Sequence, residues 1–148
     1  MSKLGCASIV ALVVALVAAG RPAHAATVVH VALRDPSTGN GVAKMQIAAQ
    51  PDRVVAGRVT FDVKNQSKEL VHEMLLLKQP DKGGLLPYDV KTGRVVEEKT
   101  VKLVDTDDIE PGTSVRRTAT LQPGVYEMIC NEPNHYAQGM KITFTVIR

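Results

Sequence analysis

Three side chains that bind metals lie within the eleven residues 130–140, namely Cys130, His135 and Met140. A thiolate, an imidazole and a thioether, joined by a second imidazole, are the donor set of a blue-copper site with a long axial Met. Cu(I) prefers sulfur and Cu(II) prefers nitrogen, so this mixed set serves both oxidation states without large movement. The spacing therefore predicts a copper-binding loop that needs one more imidazole.

The second imidazole must come from another histidine, and His72 is the best candidate. It lies in a short apolar run, in phase with Met74 and Leu76, which predicts that its side chain points inward. A buried imidazole needs a polar or metal partner, because burying it unpaired is costly. His24 lies in the N-terminal leader, and His30 is out of phase with the apolar residues of its own segment.

The segments that would position these ligands are predicted to be strands. After residue 25, short runs rich in Val, Ile and Thr are separated by Gly, Pro, Asn and Asp, without a sustained helical period. This spacing is typical of an antiparallel sandwich. We predict an all-β, antiparallel Greek-key β-sandwich or barrel of about eight strands. The predicted strands are residues 27–33, 42–49, 57–64, 70–78, 95–105, 113–121, 125–130 and 140–146.

The connection between the last two predicted strands carries the ligands. Cys130 ends one strand and Met140 begins the next, so the loop between them must turn sharply. Pro133 and Gly139 suit such a turn. Zinc could use the same side chains, but copper binds N/S sites more tightly and Met is not a usual zinc ligand. The sequence thus predicts copper at one end of the sandwich.

Residues 1–25 are predicted to be a secretory signal peptide. Lys3 gives a basic start, Ile9–Ala19 is apolar, and Ala23-His24-Ala25 has the small-x-small pattern of a cleavage site. Cleavage after Ala25 leaves one domain, residues 26–148, and predicts a periplasmic or extracellular protein. The alternative is an uncleaved leader that anchors the chain, although the apolar run is short for a membrane span.

Removal of the leader changes both the charge and the thiol content. It deletes Lys3 and Arg21 and no acid, which leaves 16 basic and 15 acidic residues and a net charge of about +1. Such a balance weakens the case for a nucleic-acid partner. It also deletes Cys6, so Cys130 cannot form an internal disulfide. A lone thiol in an oxidising compartment is prone to oxidation unless it is buried or bound, which favours a metal-bound Cys130.

Each candidate ligand also has a simpler interpretation. Cys130 alone could be a small buried hydrophobe, His72 alone a hydrogen-bonded core histidine, and Met140 alone a core residue at the start of a strand. The joint occurrence of Cys, His and Met at one loop, with an inward His upstream, favours the metal site because it matches the blue-copper donor set.

The sequence resembles the cupredoxins, the small blue copper proteins related to plastocyanin and azurin. The spacing Cys130-x4-His135-x4-Met140 is similar to the ligand loops of rusticyanin, sulfocyanin and auracyanin. Further segments resemble the approaches to the first His ligand and to the Cys of the family; they are Val59–Asn65, Val71–Met74, Pro111–Thr113 and Leu121–Tyr126. The resemblance covers essentially residues 26–148 and implies that His72, Cys130, His135 and Met140 bind one type 1 copper ion.

Two residues depart from the family pattern. Many cupredoxins have Gly directly before the second His ligand, where this chain has Asn134. Asn tolerates left-handed backbone better than most residues, so we expect the loop to close. Plastocyanin and azurin have Asn after the first His, and this chain has Glu73, which strand alternation predicts to face solvent.

The resemblance implies an exported electron carrier that is not an enzyme. It would shuttle single electrons between redox protein partners through transient contacts, as a monomer without nucleic acid and without stable membrane insertion. His135 would be the electron exit. Leu85, Leu86 and Pro87 either contribute to an apolar docking patch or simply pack their loop.

Two other classes of function use the same residues. A copper carrier or chaperone would hold the ion with the same ligands and hand it on. A thiol enzyme would use Cys130 as the nucleophile and His72 or His135 as the base. A copper nitrite reductase is disfavoured, because one domain lacks the additional His ligands of a catalytic copper.

Overall fold

A computed structural model of the chain describes residues 26–39, 41–80 and 84–148; the predicted signal peptide lies outside them. These residues contain 3-10 helices at Pro36–Thr38 and Glu97–Lys99, and none of their helices is long and apolar enough to cross a membrane. Their eleven strands are β1 (Thr27–Arg34), β2 (Gln46–Gln50), β3 (Arg53–Val55), β4 (Gly57–Asn65), β5 (Leu75–Lys78), β6 (Tyr88–Asp89), β7 (Arg94–Val95), β8 (Lys102–Asp105), β9 (Ser114–Leu121), β10 (Gly124–Ile129) and β11 (Lys141–Ile147).

The strands form two main sheets that pack face to face. One sheet has the order β2-β1-β4-β9 and the other the order β3-β11-β10-β5-β8, while β6 and β7 make a separate hairpin. The predicted all-β sandwich is confirmed, and it is not a closed barrel. The pairs β1–β4 and β11–β3 are parallel, a direction open to them because neither pair is joined by a tight hairpin.

The core between the sheets follows from period-two alternation. Val59, Phe61 and Val63 on β4 are fully buried, whereas the residues between them are partly exposed. The Phe61 ring meets the Phe144 ring of the opposite sheet edge to face, with centroids 5.6 Å apart. Such an aromatic pair contributes about 1 kcal/mol beyond the burial of its area. The metal-binding end of the sandwich is built on this core.

A second apolar cluster covers the outer face of the β5 sheet. Leu75 and Leu77 point away from the main core and pack against Leu86, Val95 and Tyr136. Leu86 is therefore buried, with 3% exposure, and it packs its loop. Its neighbour Leu85 is 86% exposed.

The predicted strand at residues 95–105 was wrong as a single element. It divides into the end of β7, the 3-10 helix Glu97–Lys99 and β8. β7 turns back on β6 to form a small hairpin, with Tyr88 opposite Val95 and Asp89 opposite Arg94. This β6–β7 hairpin lies over the second cluster, next to the loop that follows Cys130.

Candidate metal centre

Cys130 and Met140 are held opposite each other at the end of one strand pair. β10 and β11 are antiparallel, and their last paired residues are Ile129 and Lys141. One step further, the Cys130 amide donates to the Met140 carbonyl at 3.1 Å. Both side chains are fully buried and belong to the core cluster. The sheet therefore fixes the first and last members of the predicted ligand loop.

The loop between them folds through its own backbone hydrogen bonds. The His135 amide donates to the Glu132 carbonyl at 3.0 Å, and the Met140 amide donates to the His135 carbonyl at 3.0 Å. Asn134 has φ 68° and Gly139 has φ 97°, in the left-handed region that Asn and Gly tolerate. The expectation that Asn134 allows the loop to close is confirmed.

The sequence predicts a strand through His72, but this prediction was wrong. His72 is positioned instead by an isolated bridge between two connecting segments. Its amide donates to the Ile109 carbonyl at 3.2 Å, and the Ile109 amide donates to the His72 carbonyl at 2.7 Å. The buried Asn65 side chain donates to the carbonyls of Leu70 and Ile109, each at 2.8 Å. The Asn65 side-chain amide thus supplies hydrogen bonds of the kind that a neighbouring strand would supply. The predicted inward direction is nevertheless confirmed, because the His72 ring is fully buried.

Three donor atoms converge at this end of the sandwich. The Nδ1 atoms of His72 and His135 lie 3.2 Å apart, and Cys130 Sγ lies 3.7 Å and 3.3 Å from them. The point equidistant from these three atoms is about 2 Å from each, which matches metal–nitrogen bond lengths. Two imidazole nitrogens and one thiol sulfur facing one point fit a metal ion that replaces the thiol proton.

Asp35, which the sequence analysis missed, fixes the orientation of the His72 ring. Its Oδ2 lies 3.0 Å from His72 Nε2, and both side chains are buried. The carboxylate accepts the Nε2–H, so Nδ1 carries the lone pair that faces Cys130. Asp35 is also the N-cap of the 3-10 helix Pro36–Thr38, and Asp-Pro at a helix start is the local signal of that cap.

Burial keeps all three converging groups uncharged when no metal is bound. It raises the pKa of the Cys130 thiol to about 12. Burial, with a smaller effect from His72, lowers the pKa of His135 to about 4. Burial also lowers the pKa of His72, and the Asp35 carboxylate offsets only part of this effect. Both imidazoles are therefore ready to bind a metal at neutral pH, whereas the thiol must first lose its proton.

The position of Glu73 differs from the sequence-based prediction. It was predicted to face solvent, yet it is only 7% exposed. Strand alternation does not apply here, because β5 begins only at Leu75. The Glu73 amide donates to Cys130 Sγ at 3.4 Å, a contact that stabilises a thiolate. Burial, followed by the nearby carboxylates, raises the pKa of the Glu73 side chain to about 7.

The exposures of His30 and of the four predicted ligands fit the sequence-based prediction. The His30 side chain is 71% exposed and lies 3.7 Å from Asp62, outside the cluster. His135 has 9% exposure, whereas His72, Cys130 and Met140 have none. Among the four predicted ligands, His135 is thus the least deeply buried.

This chain is similar to a known protein family and to several solved structures. The family model for copper binding proteins of the plastocyanin/azurin family matches residues 36–147. A comparison with curated protein sequences gave no match. Among solved structures, a reduced auracyanin from Roseiflexus castenholzii is 22% identical, with a TM-score of 0.58 over 84% of this chain and 98% of its own.

Two further structures have the same fold. Auracyanin A from Chloroflexus aurantiacus, described as a "blue" copper protein, is 17% identical, with a TM-score of 0.58 over 83% of this chain and 100% of its own. Rusticyanin from Thiobacillus ferrooxidans is 18% identical, with a TM-score of 0.58 over 81% of this chain and 76% of its own. The cluster of His72, Cys130 and His135, with Met140 beside it, fits a single type 1 copper ion. The chain belongs to the copper-binding plastocyanin/azurin family, the cupredoxins.

Proposed function

We propose that this protein carries single electrons between redox partners, using one copper ion that would be held by His72, Cys130, His135 and Met140. The observation that carries the proposal is the convergence of two imidazole nitrogens and one sulfur within 3.7 Å of one another in a buried site. Copper bound there supplies a one-electron Cu(I)/Cu(II) couple. The protein supplies a site whose donors are already in position.

Fixed donors support rapid electron transfer. Asp35 and the Ile109 bridge hold His72, while the β10–β11 pairing and the Glu73 amide hold Cys130. A site whose ligands move little between two oxidation states has a low reorganisation energy, because few bonds must be rearranged when the electron moves. We therefore expect the two oxidation states to exchange electrons rapidly.

The exposure of the ligands supports an exit at His135. His135 retains 9% exposure, whereas the other three proposed ligands are fully buried. The nearly balanced charge of residues 26–148 gives little long-range steering. A partner would dock transiently over the His135 edge, through a small interface typical of redox encounters.

The proposal includes export. Residues 1–25 would be a cleaved secretory signal, and residues 26–148 would work in the periplasm or outside the cell. The lone thiol of the mature chain would then be protected by burial and by the metal. Mass spectrometry of the exported protein is expected to find a mature N-terminus at Ala26.

The thiol-enzyme alternative is disfavoured by the site itself. A nucleophilic cysteine needs a lowered pKa and access to substrate. Burial instead raises the pKa of Cys130 to about 12, and the sulfur is fully buried.

A copper carrier would need ligands that release the ion easily, and fixed, buried donors work against release. Slow loss of Cu(I) to a competing chelator under anaerobic conditions is the expected result, and rapid loss would favour the carrier.

A visible spectrum of the Cu(II)-loaded protein tests the proposed site. We expect a strong thiolate-to-copper charge-transfer band at about 600 nm, which Cys130→Ser abolishes. Electron exchange between the Cu(I) and Cu(II) forms, measured by NMR line broadening, tests the carrier role. A loaded protein with no such band, or with the band but no measurable exchange, would refute the proposal.

A further inference from the structure

Arg94, on the β6–β7 hairpin, contacts both of the segments that carry proposed copper ligands. Its Nη1 donates to the Asn131 carbonyl at 2.7 Å, and its Nη2 donates to Glu132 Oε1 at 3.1 Å. The same Nη1 lies 3.6 Å from Glu73 Oε1. Glu73 directly follows His72, and Asn131 directly follows Cys130. One guanidinium therefore joins the two chain segments that lead away from two ligands.

Asn131 extends this contact with a pair of hydrogen bonds. The Val95 amide donates to Asn131 Oδ1 at 2.6 Å, and Asn131 Nδ2 donates to the Val95 carbonyl at 3.1 Å. The side-chain amide of Asn131 thus pairs with the backbone of β7 as a neighbouring strand would. Because Asn131 is almost fully buried, loss of either bond would leave an unpaired buried polar group.

Gly93 brings the hairpin against the residue before His135. The Asn134 amide donates to the Gly93 carbonyl at 2.8 Å. Gly93 has φ +70°, and a Cβ added to it would lie 2.7 Å from Asn134 Oδ1 and 2.9 Å from Asn134 N. Only glycine fits this close approach without strain. The hairpin therefore contacts the ligand loop at Asn131, Glu132 and Asn134.

The buried Glu73 carboxylate explains why an arginine is suited to this position. Its Oε1 has no hydrogen-bond partner among the described residues. The carboxylates of Glu97, Glu132 and Asp105 act against its charge, and Arg94 acts in its favour. A planar guanidinium can serve several oxygens at once, which a lysine ammonium cannot do with the same geometry.

We propose that the β6–β7 hairpin is a clamp on the ligand loops, with Arg94 as a positioning residue that fixes the His72 segment relative to the Cys130 segment. The effect on copper rests on the proposed function, whereas the clamp itself exists in the metal-free protein. Without Arg94, the two segments keep their separate backbone bonds but lose the group that joins them. The ligand positions then vary more, and the site becomes less preorganised.

The first test uses the metal-free protein, so it does not depend on copper. In Arg94→Met, hydrogen exchange of the Asn134 amide is expected to accelerate about tenfold or more, since its bond to Gly93 is released. The Cys130 amide, which bonds to Met140, is expected to keep its protection. Arg116→Met is the matched control, because Arg116 pairs with Asp62 on the exposed face of the other sheet. Equal Asn134 exchange in wild type and Arg94→Met would overturn the clamp.

The second test uses the copper-loaded protein. Arg94→Met is expected to lower Cu(I) affinity about tenfold in anaerobic chelator competition and to broaden the EPR lines of the Cu(II) form. Arg94→Lys keeps the positive charge but lacks the planar guanidinium, so it should recover only part of the copper affinity. Gly93→Ala keeps Arg94 and should give the same loss through the Asn134 clash, which covers the case of a misfolded Arg94→Met.

The outcomes separate the clamp from the proposed function. A wild type with the band at about 600 nm, together with unchanged affinity and EPR in Arg94→Met and Gly93→Ala, refutes Arg94 as a positioning residue and leaves the electron carrier intact. A wild type without the band refutes the carrier, while Asn134 exchange still decides the clamp. Wild-type affinity in Arg116→Met, alongside the loss in Arg94→Met, supports the proposal.

Discussion

Oδ2 of Asp35 lies 3.0 Å from Nε2 of His72, although the two residues are 37 positions apart in the chain. The other carboxylate oxygen, Oδ1, accepts the Ser37 amide at 2.7 Å. One buried carboxylate thus starts the 3-10 helix Pro36–Thr38 and selects the His72 tautomer whose Nδ1 faces Cys130. Burial alone would raise the pKa of Asp35, but hydrogen bonds from Ser37, Ser67 and His72 outweigh it and lower that pKa to about 2.

The first prediction concerns this carboxylate. Asp35→Leu removes the acceptor of the His72 Nε2–H, so the ring can rotate or change tautomer, and copper affinity should fall about 10- to 100-fold. Asp35→Asn keeps an oxygen acceptor and should lose less. Anaerobic chelator competition measures both variants. Asp62→Leu is the control, because Asp62 pairs with Arg116 and contacts none of the proposed ligands. Wild-type affinity in Asp35→Leu would show that this bond does not orient the ligand.

The cluster of proposed ligands was predictable from sequence because its signals are local. Cys130, His135 and Met140 follow each other in one loop, and the inward phase of His72 was visible in a short apolar run. Asp35 was not predictable, because only the fold brings it to His72. Glu73 was assigned to the wrong side because alternation was applied to residues that form an isolated bridge instead of a strand.

The fold was predictable where burial alternates along a long strand. The in-out pattern of Val59, Phe61 and Val63 is the pattern of β4. By contrast, β3, β6 and β7 have two or three residues each, too few for a period to appear. The burial of Leu86 depends on the second cluster over the outer face of β5, a long-range contact with no signal in its own segment.

The second prediction is a pH dependence of metal-free stability that arises from Glu73. Its pKa is raised from 4.5 to about 7 in the folded protein. Between these values the folded state binds more protons than the unfolded state. The contribution of Glu73 to the free energy of unfolding is therefore fully present below about pH 4.5 and is lost as pH rises through about 7. Glu73→Gln removes this dependence.

The free energy of unfolding of Glu73→Gln minus that of the wild type should therefore increase between about pH 5 and pH 8, by up to about 3 kcal/mol. Urea unfolding of the metal-free proteins at several pH values measures it. His135, with its pKa lowered to about 4, contributes a slope of opposite sign to both proteins, so the difference isolates Glu73. Glu69→Gln, the same change at an exposed side chain, is the matched control, and a flat result for Glu73→Gln would contradict the prediction.

The third prediction concerns proton release on copper binding. With the pKa of Cys130 raised to about 12 and that of His135 lowered to about 4, the empty site holds one proton that the metal must displace. At about pH 8.5, where Glu73 is ionised, binding should release about one proton per copper. Calorimetry in buffers of different ionisation enthalpy measures this number. Cys130→Ser should release much less, whereas release of two or more protons by the wild type would show that a histidine is charged in the empty site.

The fourth prediction separates the role of Met140 from that of the other three proposed ligands. Met140→Leu should keep the thiolate-to-copper band, because Cys130 and both histidines remain, and should raise the reduction potential by removing a weak sulfur donor. The swap nearly conserves volume, so the free energy of unfolding should fall by less than about 1.5 kcal/mol. Met128→Leu is the matched control, since Met128 is equally buried in the same core cluster but lies outside the ligand loop. Its potential should equal that of the wild type, and equal potentials in both variants would exclude Met140 as a copper ligand. A rise in potential in Met140→Leu alone would support the Met140 sulfur as a copper ligand.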